Sequence, residues 1–341
     1  MLDRTQAPPF QKSSFLTLLK PQRFTAANGT PLYVLRGGTQ EVIRLELMAK
    51  AGKWYEPSTG IAHFAAAQLD KGTQSKSSFQ IASYFDALGA HVEVTAGNDF
   101  IIITIYALTK NLAEVLVMVN ELLHEATFPE EELILAKNIA LQNLKVNEEK
   151  TSFLAGKYFR KTIFGDHPYG NELDAAGIEK IEGKKLQAFQ QSFLLNFQAI
   201  AAGNINEASL RILTDFLEAL PVGKAAQKDV DFAKPLPVST YTPKEGSVQS
   251  TIRIGKRIIN RHHQDFFELL FVTHLLGGYF GSRLMKNIRE EKGLTYGIYA
   301  SVHPLVRDAY FIIGADVNRE NRTLTIDEIH KELTLLKTQA V

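Results

Sequence analysis

The spacing of apolar residues over the first 130 positions predicts an alternation of strands and helices. Runs rich in β-branched residues predict four strands, which are "PLYVLRGG", "EVIRLELMAKAG", "HVEVTA" and "DFIIITIYAL". Between the second and third strands, apolar residues at helical spacing predict a helix that ends at Gly89. Its expected buried face consists of Phe79, Ile81, Ala82, Phe85 and Leu88. "NLAEVLVMVNELLHEA" predicts an amphipathic helix after the fourth strand.

The region from Pro129 to Leu220 is predicted to be mostly helical. The stretch up to about Phe164 is long, charged and helical in pattern, whereas "AIAAGNI" predicts a buried strand and "EASLRILTDFLEAL" a further helix. The pattern breaks between Pro221 and Gly246, where four prolines and little periodicity predict a linker.

After this linker the same order of elements returns. The elements are strand "STIRIGKRI", helix "QDFFELLFVTHLLGG", helix "SRLMKNIREEKG", strands "TYGIYASVH" and "DAYFIIGADV", and helix "LTIDEIHKELTLLK". This order predicts an α+β fold in which two related α/β-sandwich domains are repeated in tandem, each with a mixed, antiparallel-rich sheet covered by helices. The predicted domains are residues 1–220 and 247–341, joined by a linker at 221–246. The second lacks a counterpart of residues 129–220 and is therefore predicted to be partial.

Composition supports two domains and excludes several classes of function. With 341 residues, of which 45% are apolar and 22% charged, the chain is typical of globular proteins and too long for a single core to be the default. The 38 basic and 37 acidic residues nearly cancel, which argues against binding to nucleic acid or an anionic membrane. The absence of cysteine excludes disulfides, thiolate zinc ligands and a thiol nucleophile. No apolar run predicts a membrane span or a secretory signal, and the compartment stays open between cytoplasm and periplasm.

The stretch "GIAHFAAAQLDKGT" has the frame of a metal-binding helix without most of its chemistry. In the inverted zinc motif H-x-x-E-H, two histidines on one helical face bind the metal, and the glutamate activates its water. Here the frame contains His63, followed by Ala66 and Ala67 in place of the base and the second ligand. One histidine cannot hold catalytic zinc where three protein ligands are the norm.

Three stretches together resemble the pitrilysin/insulinase family of zinc metallopeptidases. They are "AGKWYEPSTGIAHFAAAQLDKGT", "FPEEELILAKNIALQNLKVNEEKTSFLAGKYFRKTIFGDHPYGN" and "LLGGYFGSRLMKNIREEKGLTYGIYAS". The resemblance implies a third zinc ligand, a glutamate 76 residues after the second histidine, and that position is Asn143. A further acidic position one helical repeat earlier corresponds to Ala136. We therefore expect no cofactor in this chain, an ordinary helical role for His63, and zinc only in a partner subunit.

The second half carries the residues to which the resemblance assigns a positive role. Arg289 and Tyr296 stand seven apart in "REEKGLTY", and active members of the family use such a pair to hold the substrate carbonyl and stabilise the oxyanion. From the residues alone, the alternative is an exposed arginine on a charged helix and a tyrosine that opens a strand. The neighbouring "GGYFGSRL" is expected to supply a tight turn and helix packing, because it lacks the lysine of a phosphate-binding loop.

Three functions remain open at this point. The resemblance favours a catalytically inactive subunit that pairs with a zinc-bearing homologue, or with itself, around a chamber for unfolded peptides. The second is a purely structural or assembly subunit, like the core proteins of respiratory complexes. The third is a peptide-binding module that uses an edge strand near "GNDFIIITI". The retained Arg289/Tyr296 pair favours the first over the second.

Overall fold

The computed structural model of the protein describes residues 17–195, 197–223 and 237–339. Its strands are β1 Gln22–Thr25, β2 Pro31–Arg36, β3 Val42–Ala49, β4 His91–Ala96, β5 Ile101–Leu108, β6 Phe197–Gly203, β7 Gln249–Arg257, β8 Thr295–Pro304 and β9 Ala309–Asn318. Its α-helices are α1 Ile61–Ala67, α2 Ser78–Ala87, α3 Leu112–Glu125, α4 Glu130–Glu148, α5 Thr151–Phe164, α6 Ala175–Glu179, α7 Gly183–Phe193, α8 Glu207–Glu218, α9 Phe266–Gly277 and α10 Arg322–Thr338. Within this part of the chain, no helix combines the length and the apolar character that a membrane span requires.

The first unit is built on a mixed sheet with the strand order β1-β2-β6-β3-β5-β4. β2 and β6 are parallel, whereas β3 pairs antiparallel with both β5 and β6. Because alternate side chains of a strand face opposite sides, one face of β3 and β5 is buried. The buried side chains at its centre are Leu45, Leu47, Ile103 and Ile105. Helices α1, α3, α7 and α8 contribute their apolar faces to the same core.

The second unit repeats part of this architecture on a separate sheet. Its strand order is β7-β9-β8, and all neighbours are antiparallel, as in the series β3-β5-β4. In both units the central strand runs into a short 3-10 helix and then a long α-helix, through Thr109–Asn111 to α3 and through Arg319–Asn321 to α10. The predicted tandem repeat of two α+β units is therefore confirmed. The boundaries remain predictions, because residues 224–236 of the expected linker lie outside the described residues.

Helix α5 of the first unit packs against β7 of the second. The hydroxyl oxygens of Thr151 and Thr251 lie 3.0 Å apart near the start of both elements. Further along, a Cβ added to Gly255 would lie 2.9 Å from the ring of Phe159, so glycine permits the close approach. Phe164 stands edge-on to Tyr310 at 5.9 Å and extends this apolar contact.

The turns of two equivalent hairpins also meet between the units. Asp99, in the β4–β5 turn, accepts hydrogen bonds from the Tyr169 hydroxyl and from the Val306 backbone N–H, the latter at 3.3 Å. Arg307, in the β8–β9 turn, lies 3.6 Å from the Asp99 carboxylate and 4.4 Å above the Trp54 ring. The buried carboxylate of one unit is thus neutralised and hydrogen-bonded by the other.

Two details of the predicted elements are wrong. Phe79 is 79% exposed, whereas Ile81 and Phe85 of the same helix are buried. At 100° per residue, Phe79 lies about 160° around the helix from Ile81, so the two cannot share a face. The predicted helix in "SRLMKNIREEKG" is a π-helix over Met285–Glu291.

Candidate functional site

Helix α1 carries the degenerate motif and is fixed at its first turn. Gly60, the residue before the helix, has φ of +98°, a value that favours glycine. The buried carboxylate of Glu56 accepts hydrogen bonds from the N–H groups of Gly60 and Ala62, at 3.0 and 3.1 Å. A carboxylate at this end of a helix satisfies free N–H groups and complements the helix dipole. The start of α1 is therefore fixed by the Glu56 carboxylate.

A cleft of about 470 Å³ lies beside the two alanines of this helix. Its lining residues are Ala66, Ala67, Asp70, Lys71, His91, Val92, Glu93 and Val94. The last four belong to β4, which is an edge strand of the first sheet. The strand of "GNDFIIITI" itself, β5, is paired on both sides, so the available edge is β4.

The residues in the zinc frame do not fit a zinc ion. Ala66 and Ala67 offer methyl groups, and Asn143 is an exposed amide on α4. His63 packs edge-on to Phe64 at 5.4 Å, and burial against the protein lowers the pKa of its imidazole. Among the described residues, no group of three or more His, Cys, Asp or Glu side chains is arranged to hold a metal.

The turn that follows α1 is held by a carboxylate from α3. Glu121 accepts hydrogen bonds from the hydroxyls of Thr73 and Ser75, both at 2.6 Å, and from the Lys76 ammonium at 2.8 Å. Burial alone would raise the pKa of Glu121, but these donors outweigh it and lower the pKa to about 2. Glu121 is therefore ionised at neutral pH and holds the turn of Thr73, Ser75 and Lys76.

In the second unit, Arg289 and Tyr296 lie side by side. The guanidinium carbon of Arg289 lies 5.1 Å from the centre of the Tyr296 ring and 4.5 Å from that of Phe280. Tyr296 is 90% exposed and Phe280 is 60% exposed, so the group opens to solvent. Each exposed cation–π contact contributes about 0.5–1 kcal/mol, while ordering an arginine costs about 2 kcal/mol. Stacking alone does not hold Arg289, and its backbone must aim the side chain.

Both members of the pair lie on irregular backbone. Arg289 is in the π-helix. Such turns are rare in proteins overall, and those that occur are often found at functional sites. Tyr296 lies in a β-bulge, because β8 passes from Thr295 to Ile298 while β9 passes only from Val317 to Ala315. A bulge re-aims a side chain that would otherwise follow the strand's alternation.

The sequence missed Phe280, which completes the stack on Arg289. It predicted a turn and helix packing for the segment that contains Phe280, and the packing is confirmed. A Cβ added to Gly277 would lie 2.5 Å from the Ala300 backbone nitrogen, so this glycine lets α9 approach β8 closely. An aromatic residue nine positions before Arg289 gives no signal of its own, because only the fold between them sets their distance.

Comparison with known proteins agrees with this fold. Residues 34–177 match the family described as Insulinase (Peptidase family M16), and residues 180–341 match the Peptidase M16 inactive domain. The chain is 23% identical to an uncharacterised zinc protease, YmxG, of Bacillus subtilis over 94% of this chain and 79% of that protein. It is 27% identical to a Helicobacter pylori protein named non-peptidase homolog YmxG, over 70% of this chain and 57% of that protein.

A solved structure of the same family has a similar fold. The peptidase M16 inactive domain from Pseudomonas fluorescens superposes with a TM-score of 0.86 at 25% identity, over 95% of this chain and 81% of that one. Two adjoining regions of the chain, which together cover most of it, thus match two domain types of one family. The chain belongs to the M16 peptidase family, the pitrilysin/insulinase peptidases.

Proposed function

We propose that this protein is a non-catalytic M16 subunit that pairs with a zinc-bearing homologue and supplies Arg289 and Tyr296 to the shared peptidase site. In this proposal the partner holds the zinc ion, its water and the general base, and unfolded peptides are the substrates. The two chains, each with two repeated units, enclose the peptide between them.

The stacked Arg289/Tyr296 pair is the observation that carries the proposal. A guanidinium and a phenol are strong hydrogen-bond donors, and donors aimed at a developing oxyanion are felt mainly in the transition state. Tyr296 presents 90% of its side-chain surface to solvent, as a residue that meets a partner's substrate must. The name of the Helicobacter pylori relative, a non-peptidase homolog, supports only the non-catalytic part of the proposal.

The alanines of α1 support the inactive half of the proposal. Ala66 and Ala67 leave a cleft beside α1 with no base and no second imidazole from the helix. The chain has the Glu56 carboxylate that caps α1, and this contact stabilises the fold. It lacks the metal ligands and the general base that hydrolysis would need on α1.

The experiment is a peptidase assay on the complex with an intact H-x-x-E-H homologue. Arg289→Ala and Tyr296→Phe are each expected to lower kcat about 10²-fold without preventing assembly, because each removes one oxyanion donor. A second arginine–tyrosine stack in the same chain provides the control. Arg322 lies 4.1 Å over the Tyr241 ring, so Arg322→Ala and Tyr241→Phe remove equivalent groups elsewhere.

Unchanged turnover in both Arg289→Ala and Tyr296→Phe would contradict the proposal.

The edge of β4 favours one second candidate, a peptide-binding module in which an extended peptide pairs with β4 above the cleft. That candidate is supported instead if the isolated chain binds unfolded peptides and Arg289→Ala leaves both peptide binding and turnover unchanged.

A further inference from the structure

We infer that a polar cluster beneath the π-helix positions Arg289, and that the buried Asn287 is its central positioning residue. The cluster, called here the π-helix anchor, consists of Arg283, Asn287, Lys292, Glu328 and Glu332. The importance of Arg289 for turnover rests on the proposed function, whereas its positioning by the anchor is a property of this chain alone.

The π-helix needs an external support because it is intrinsically unfavourable. The Lys292 N–H donates to the Asn287 carbonyl at 3.1 Å, five residues back, and one residue later the Gly293 N–H donates to Arg289, four residues back. The helix ends at Gly293, whose φ of +62° suits glycine, and the next N–H, that of Leu294, donates to the Ile288 carbonyl six residues back at 3.0 Å. Runs of this register persist only where the surrounding structure stabilises them, so the contacts of Met285–Glu291 decide its existence.

Asn287 makes those contacts with its whole amide. It is 7% exposed, and its Nδ2 donates to Glu332 at 2.8 Å and to Glu328 at 3.0 Å. Its Oδ1 accepts from the Lys292 ammonium. An asparagine with both its donor and its acceptor groups satisfied in a buried site has a single orientation, which fixes the backbone that carries it.

The two carboxylates of α10 also hold both ends of the π-helix. Arg283, before the π-helix, donates to Glu332 at 2.9 Å. Lys292, after it, lies 3.2 Å from Glu328. The hydrogen bond from Asn287 lowers the pKa of Glu328, so this carboxylate remains charged and keeps accepting near neutral pH. Because α10 contributes to the core of the second unit, the anchor ties Arg289 to a rigid element.

The anchor explains why Arg289 can stack without a carboxylate partner. The Arg289 guanidinium forms no ion pair with any of the described residues. It contacts the rings of Phe280 and Tyr296. If the segment relaxed to an α-helix, every residue after Met285 would rotate about the helix axis. Arg289 would then move away from the rings of Phe280 and Tyr296.

The test uses Asn287→Ala, with Lys331→Ala as the matched control. Lys331 is also a neighbour of Glu328, at 3.6 Å, but it is exposed and outside the anchor. In the isolated chain, NMR of the Arg289 side-chain Nε–H should show a restrained, ring-shifted signal that Asn287→Ala abolishes and Lys331→Ala keeps. In the mixed complex, Asn287→Ala should lower kcat at least tenfold with KM changed less than twofold.

The outcomes separate this inference from the function on which it rests. A restrained Arg289 signal in Asn287→Ala overturns the positioning role. A released Arg289 together with unchanged turnover in Arg289→Ala upholds the positioning role and overturns the proposed function. Should Asn287→Ala fail to fold, Glu332→Gln is the second variant, because it keeps the shape of the anchor and removes one charge. The same NMR criterion then applies, and an unchanged Arg289 signal overturns the inference.

Discussion

His167 shows how a single residue couples the joint between the units to pH. Its ring lies among Trp54, Phe164 and Tyr169, with Arg257 and Asp308 of the second unit acting on it electrostatically. Its Nδ1 accepts a hydrogen bond from the Tyr169 N–H at 3.1 Å, which requires the neutral ring. Burial, aided by Arg257 and opposed by Asp308, lowers the pKa of His167 to about 4.

The sign of the resulting pH dependence follows from this depressed pKa. The unfolded chain binds a proton at this histidine below about pH 6.5, whereas the folded chain does so only below about pH 4. The free energy of unfolding should therefore fall as the pH drops from 6.5 to 4. Urea denaturation at pH 7.5 and pH 5 should show this loss in the wild type and a smaller one in His167→Asn. An equal loss in both proteins would contradict the assignment.

At the scale of elements, close packing of helix on strand depends on glycine where no side chain fits. Gly277 closes α9 against β8, and an added Cβ would lie 2.8 Å from the Cβ of Ala300 and closer still to its backbone. Gly156 in α5 offers the opposite case, because the nearest atom to its added Cβ is an Arg160 nitrogen at 3.5 Å, an ordinary contact.

Substitution by alanine should therefore change the free energy of unfolding in opposite directions at Gly277 and Gly156. Gly277→Ala should lower the free energy of unfolding by about 1–3 kcal/mol through overpacking. Gly156→Ala should raise it by about 0.5–1 kcal/mol, because alanine restricts the unfolded chain and favours the helix. Urea midpoints of the two variants check this, and a stabilised Gly277→Ala would show that α9 can move away from β8.

The elements around Arg289 also show where pattern reasoning stops. The apolar spacing in "SRLMKNIREEKG" indicated a helix but not its register, because seven residues complete fewer than two turns of either helix and are too few to define its period. The deciding interactions are the hydrogen bonds that Asn287 donates to Glu328 and Glu332, which lie more than forty residues later in the chain. Likewise, the bulge at Tyr296 depends on the pairing with β9 and leaves no mark in "TYGIYASVH".

At the scale of the whole molecule, the two repeated units contact each other through matching parts. The β4–β5 turn of the first meets the β8–β9 turn of the second, where Asp99 accepts from Tyr169 and Val306. Burial, followed by the hydrogen bond to Asp99, raises the pKa of Tyr169, so its hydroxyl keeps its proton. Asp99 is thus the shared acceptor of the joint.

Removal of that acceptor should uncouple the units. Asp99→Ala leaves the Tyr169 hydroxyl and the Val306 N–H without their partner, which costs about 1–3 kcal/mol each time a buried donor is orphaned. Calorimetry should show a lower Tm and a broadened or split transition. Asp166→Ala is the control, because the Asp166 carboxylate in its ion pair with Lys161 is fully exposed, so its removal should leave stability nearly unchanged. A single, unshifted transition in Asp99→Ala would contradict the role of the joint.

The sequence by itself predicted every described strand except β1, most helices and the tandem repeat. It also singled out Arg289 and Tyr296, whose role stays a proposal. Strand alternation and helical spacing are local, and a repeat of element order is visible without any contact. That Ala66, Ala67 and Asn143 carry no carboxylate or imidazole is likewise a local fact, since a methyl group or an amide cannot become one on folding.

Only the tertiary structure decided the π-helix, the bulge, the stack on Phe280, the edge position of β4 and the joint at Asp99. Each depends on groups far apart in the chain, such as Asp99 and Val306, which are 207 residues apart. A buried polar group must find partners wherever the fold brings them, because leaving it unsatisfied costs more than most local preferences. Local pattern therefore set the elements of this protein, and long-range satisfaction of buried polar groups set the geometry of its candidate site.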